Sequence, residues 1–92
     1  MIPSLSVIIP TFNRYDCLNR CLDHLSNQSL LKKKYEIIVV NDGSTDDTLN
    51  LLKKWKKKLS NLRYFSQTNS GQGAARNKGI KASKGNLILF LG

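Results

Sequence analysis

The sequence predicts an α/β domain, a parallel sheet of about four strands with flanking helices. Two observations carry that expectation. Short apolar runs alternate with longer stretches of helical periodicity, and the links between them are brief. One run, Ile37-Ile38-Val39-Val40, shows no polar alternation, as a strand buried on both faces requires. Parallel strands need crossovers, and strand–helix–strand units with a right-handed crossover supply them.

The first strand is read over Leu5 to Pro10 (LSVIIP) and ends at its proline, before a turn of Thr11, Phe12, Asn13 and Arg14. Tyr15 to Asn27 has helical spacing, with Tyr15, Leu18, Leu22 and Leu25 on one face. A polar loop from Asn27 to Lys34 leads to the second strand, Tyr35 to Val40. Asn41, Asp42, Gly43 and Ser44 are turn vocabulary. Ser44 with Asp47 resembles a capping box, which predicts a helix over Thr45 to Lys58. Thr48, Leu52, Trp55 and Leu59 form its inward stripe, and its lysines face out.

Leu62 to Ser66 is a weaker third strand, and Gln67 to Gln72 a loop. Gly73 to Ala82 is a helix of small residues, and the turn Lys84-Gly85-Asn86 opens a fourth, wholly apolar strand from Leu87 to Leu91. The sequence stops one residue later, with a strand just completed, so the 92 residues are read as one incomplete domain, 1–92.

Composition narrows the function. A hydrophobic content of 40% fits a globular chain, and no apolar run approaches the ~20 residues that span a bilayer. No basic segment followed by a long apolar run opens the chain, which argues against a secretory signal and for a cytoplasmic protein. The net charge of +9 would suit a polyanion, yet it sits in lysine runs, Lys32 to Lys34 and Lys53 to Lys58, the latter broken only by Trp55. Such runs read as solvated faces, and with no interleaved aromatic except Trp55, which a helix would bury, they do not describe a nucleic-acid partner. Cys17, Cys21 and His24 share one side of a helix, but a tetrahedral site lacks its fourth ligand. They read instead as reduced thiols packed beside Leu18, Leu22 and Leu25, which suits a reducing compartment.

Ligands of open α/β sheets bind beyond the carboxyl ends of the strands, and Asp42 stands at such an end. Its competing reading is a turn aspartate bonded to its own backbone. Asp46 and Asp47 are helix-start carboxylates, and Ser44 has no paired histidine to make it a nucleophile. Gly71-Gln72-Gly73-Ala74-Ala75 begins like a dinucleotide fingerprint, but its sixth position is Arg76 and it follows the third strand, so that reading is rejected. The glycines still allow close approach to a ligand or a strand before a helix N-terminus, where Arg76 can add a charge-assisted bond to phosphate; its competing reading is a surface arginine paired with a carboxylate.

Three stretches in order, SVIIPTFNR from Ser6, EIIVVNDGSTDDT from Glu36 and NSGQGAARNKGIKASKG from Asn69, closely resemble family 2 glycosyltransferases. The resemblance runs from Leu5 to Leu91. It implies a Rossmann-like sheet, part of a glycosyltransferase A domain, in an inverting enzyme that takes a nucleotide-sugar donor, a UDP-sugar above all. It implies a saccharide or lipid-linked acceptor and work in polysaccharide biosynthesis, with room for peripheral association at the cytoplasmic face of a membrane.

By the same resemblance, Pro10, Thr11, Asn13 and Arg14 line the nucleotide pocket, and Asp42 bonds the uracil ring. Gly71 and Arg76 belong to the segment that closes over the nucleotide near the diphosphate. The family's usual aspartate before Asp42 is here Asn41. Mn²⁺ or Mg²⁺ is expected for the full enzyme on an acidic motif that would follow the fourth strand. Its ligands, the acceptor-binding half and the catalytic base are not in this chain, which is expected to be inactive alone. A half-sheet with uncovered apolar surface also predicts self-association. The alternative from another class is a non-catalytic module that binds nucleotide or a partner.

Overall fold

The computed structural model describes residues 2–28 and 34–91. Of the first lysine run, only Lys34 falls within them. The elements follow the order β1 (Leu5–Thr11), α1 (Tyr15–Ser26), β2 (Tyr35–Asp42), α2 (Thr48–Lys58), β3 (Leu62–Gln67), α3 (Gln72–Ala82) and β4 (Leu87–Phe90). The strands form one parallel sheet in the order β3-β2-β1-β4. The chain therefore steps outward from β1 to β3, then returns through α3 to the other side of β1. That reversal makes the carboxyl end of β1 a topological switch point, where open sheets of this kind bind ligands.

Alternation along the strands sorts the core into two layers. Val7, Ile9, Ile37, Val39 and Leu62 pack against Leu18 and Leu22 of α1 and Leu51, Leu52 and Trp55 of α2. Ile8, Ile38 and Val40 face the other way and pack with Ala75 of α3. The predicted inward stripe of α2 is buried in full, from Thr48 through Leu52 and Trp55 to Leu59. Trp55 also donates its ring N–H to Asn19 Oδ1 at 2.9 Å, joining α2 to α1. On the opposite face α3 has no bulky stripe and lies close: a Cβ on Gly79 would stand 2.5 Å from Ile8 Cγ2.

Polar groups fasten α3 where apolar ones are few. Glu36, buried at the start of β2, accepts from Ser6 Oγ (2.6 Å), from the Lys84 N–H (2.6 Å) and from Arg63 on β3 (2.8 Å). Arg63 donates as well to the carbonyl of Ala82, the last residue of α3. Burial pushes the Glu36 carboxyl up, but the bonds from Ser6, Lys84 and Arg63 outweigh it and hold the group below the usual carboxylate range. The C-terminal end of the α3 crossover is thus tied to the amino end of the sheet.

Two details differ from the sequence expectation. First, α2 begins at Thr48 rather than Thr45, and the Ser44–Asp47 capping box does not form. Asp46 accepts from the Thr48 N–H at 3.1 Å, while Ser44 Oγ accepts from the Asn13 N–H. Second, β4 has the wholly apolar pattern of a covered strand, yet Leu87, Ile88, Leu89 and Phe90 are 67%, 40%, 46% and 41% exposed. It is an edge strand with both faces largely open among the described residues.

Candidate functional site

The carboxyl ends of β1 and β2, the loop after β3 and the first turns of α3 enclose a cleft of about 380 Å³. Pro10, Thr11, Phe12 and Arg14 form its wall from β1, and Asp42 comes from β2. Asn69, Gly71, Gln72 and Ala75 complete it from the opposite side. Of the seven residues singled out from sequence, Pro10, Thr11, Arg14, Asp42 and Gly71 are brought together on this lining; Asn13 and Arg76 are not.

Asn13 sits behind the wall and fixes it. At φ 52° it turns the chain after β1, in the left-handed region that asparagine tolerates better than most residues. Its Oδ1 accepts from the Thr45 N–H at 2.7 Å and the Asp46 N–H at 3.3 Å, and its own N–H donates to Ser44 Oγ at 3.0 Å. The β1–α1 and β2–α2 loops are therefore stitched into one rim. Arg76 is exposed, with its guanidinium 5.7 Å from the ring centre of Phe90 on β4.

Asp42 is the last rung of β2 rather than part of the turn after it, and it is only 4% exposed. Its Oδ1 accepts from Gln67 Nε2 at 2.9 Å and the Ser70 N–H at 2.8 Å; its Oδ2 accepts from the Gly71 N–H at 3.0 Å. Asn69 Nδ2 donates to the Asp42 carbonyl at 3.1 Å. Next to it Gly43, at φ 76°, lets the loop pass: a Cβ there would meet Asn69 N at 2.7 Å. The bond from Gln67, opposed by burial and joined by the N–H groups of Ser70 and Gly71, holds the Asp42 carboxyl below the usual range. A carboxylate kept ionised is acceptor-only, and among the described residues dipoles rather than a cation bond to this one.

The helix beyond the cleft adds to that character. Gly71 is the N-cap of α3, which has no side-chain cap bond and no acidic residue in its first turn. The N–H groups of its first turn favour an anion, and the Asp42 carboxylate already sits beside them at the Gly71 N–H. Among the described residues no group of three or more His, Cys, Asp or Glu side chains is placed to hold a metal ion. Cys17 is exposed rather than packed, and Cys21 is half-buried, its thiol pushed up by burial. Among the described residues no helix is long and apolar enough to cross a membrane.

Sequence reasoning missed Phe12, Asn69, Gln72 and Ala75 on the lining and Gln67 behind it. Phe12 left a signal, an apolar ring 46% exposed in an otherwise polar turn. Gln67 left none, because its register opposite Asp42 is a property of the sheet.

The match of this chain to known proteins is specific. Relatives include the poly(ribitol-phosphate) beta-glucosyltransferase of Bacillus spizizenii, 45% identical over 89 residues, covering 95% of this chain and 14% of that protein. Among solved structures, TarS 1–349 of S. aureus in complex with UDP-GlcNAc superposes with a TM-score of 0.86 at 38% identity, over 96% of this chain and 26% of that one. The mannosyltransferase PcManGT of Pyrobaculum calidifontis, in complex with GDP-Man and Mn²⁺, gives a TM-score of 0.84 at 25% identity with the same coverage, 96% and 26%. The chain thus spans a minor part of the length of the proteins it matches. The model of glycosyl transferase family 2 matches residues 6–92, and to that family the chain belongs.

Proposed function

We propose that this chain is the nucleotide-binding part of an inverting glycosyltransferase that takes a UDP-sugar and passes the sugar to an acceptor hydroxyl. One observation carries the donor assignment: an ionised, cation-free carboxylate, Asp42, on the lining of a cleft at the carboxyl ends of parallel strands. Uracil presents a single imide N–H between two carbonyls, and an acceptor-only group suits that edge. The UDP-GlcNAc bound by TarS is consistent with this choice. Arg14 at the wall and the uncapped start of α3 supply positive potential for the diphosphate, with exposed Arg76 one turn further along.

Transfer itself needs a base on the acceptor hydroxyl, attack at the anomeric carbon and departure of the nucleoside diphosphate. The described residues hold neither a base placed for that step nor a ligand set for a divalent cation. The 92 residues alone are therefore expected to transfer no sugar; detectable transfer by them would overturn this assignment of parts. Calorimetry with UDP tests the reading. Asp42→Ala is expected to weaken binding roughly tenfold or more, by the loss of a bond to a charged acceptor. Equal affinity in the two proteins would remove Asp42 from base recognition.

A further inference from the structure

On the face of the sheet under α3, β2 and β3 pair two acids with two donors. Glu36 is joined to Arg63 at 2.8 Å, and Asp42 to Gln67 at 2.9 Å. The geometry is alike and the charge is not. Arg63 neutralises its partner; Gln67 orients its partner and leaves the charge in place.

The hydrogen bonds around Asp42 are also unevenly shared. Oδ1 takes two donors, Gln67 Nε2 and the Ser70 N–H, which fills both of its lone-pair positions. Among the described residues Oδ2 takes only the Gly71 N–H, which leaves it one position open. Gln67 does not line the cleft, whereas Asp42 does. Any effect of Gln67 on a ligand therefore passes through the carboxylate.

We propose that Gln67 is a positioning residue that sets base specificity: by holding Oδ1 with a neutral donor, it leaves Asp42 charged and with one open acceptor, at Oδ2. One acceptor matches the lone imide N–H of uracil. Guanine offers two adjacent donors, N1–H and the exocyclic amine, and is read best by both oxygens of a carboxylate. Cytosine carries an acceptor at N3 where uracil carries its N–H, so the carboxylate can engage it only through the exocyclic amine beside N3. The inference rests on the base-recognition reading of Asp42 given above.

The test is titration calorimetry of the 92-residue chain with UDP, GDP and CDP, alongside urea unfolding of every variant. Gln67→Met removes the donor at similar length. It is expected to weaken UDP binding roughly tenfold and to narrow the UDP-over-GDP preference, because Oδ1 is freed. Gln67→Arg keeps a donor but neutralises the acid. It is expected to weaken UDP severalfold while leaving the urea midpoint at or above that of the parent, a split that a purely structural role does not produce. Unchanged UDP affinity and unchanged UDP-over-GDP preference in both variants would overturn the role of Gln67. If Asp42→Asn abolishes UDP binding at the same time, only Gln67 is dismissed. If the parent chain binds no UDP, or Asp42→Asn binds it equally well, the reading of Asp42 falls and the inference with it.

Discussion

The two ends of β2 carry the same chemical group put to different uses. Glu36 and Asp42 are both buried, both ionised and both on the side of the sheet covered by α3. Each holds one end of the α3 crossover, Asp42 through Ser70 and Gly71 before the helix and Glu36 through Lys84 after it. Glu36, however, has a guanidinium partner, whereas Asp42 has only dipolar donors and borders a cleft. A neutralised acid closes a structure, and an acid left unneutralised at a cavity remains available to a ligand. The contrast separates a fastening from a recognition group more sharply than burial does, since burial is nearly the same for both.

The largest effect expected is on stability at the Glu36 end. Glu36→Ala takes an acceptor from Arg63, the Ser6 hydroxyl and the Lys84 N–H, and should cost about 3 kcal/mol, the lower part of the range for breaking a buried pair because Arg63 reaches solvent and keeps the Ala82 carbonyl. Urea unfolding measures it, and a loss under about 1 kcal/mol would make the two ends equivalent in stability. Asp42→Ala should cost less, about 1–2 kcal/mol, because water in the cleft can serve the freed N–H groups of Ser70 and Gly71.

Acid sharpens the same comparison. Both carboxyls titrate lower in the folded chain than in the unfolded one, so the stability they contribute is complete above the ordinary carboxylate range of about 4 and is lost as pH falls through the folded values. Urea midpoints recorded down the acid range should therefore fall, and the fall should be shallower in Glu36→Gln and in Asp42→Asn. A slope unchanged in either variant would show that its carboxyl does not carry the linkage. The smallest effect belongs to the cleft wall. Phe12→Ala should leave the urea midpoint in place, its ring being half exposed, and weaken UDP by about 1 kcal/mol through lost stacking on the base. Equal UDP affinity would place the base elsewhere in the cleft.

Much of this architecture was legible in the residues. The stripe Thr48, Leu52, Trp55 and Leu59 needed only helical spacing, and all four are buried. The unbroken apolar run of β2 announced a strand covered on both sides, as it is. What escaped depends on partners distant in sequence. The start of α2 lies later than its pattern suggests, and the segment before it is bonded through the N–H groups of Thr45 and Asp46 to Asn13, more than thirty residues earlier. Glu36 carries no signal of its own in the sequence, because its donors come from β1, β3 and the turn after α3. The cleft shows both sides of this: its wall follows from the turn after β1, while Asn69 and Gln72 reach it only once α3 has crossed the sheet.

The strand order has a consequence in time. β1 is the first of the described strands and lies inside the sheet, yet its second neighbour is the last of them, with Leu5 paired to Leu87. A contact between near-opposite ends of the chain closes slowly, because the loop entropy must be overcome before the pairing is formed. During synthesis β1 keeps one row of backbone groups unpaired until Leu87–Phe90 emerge, and the ladder they then form has only four rungs. Native-state amide exchange should record this as a gradient, with β2 protected most and the β1–β4 ladder least within the sheet.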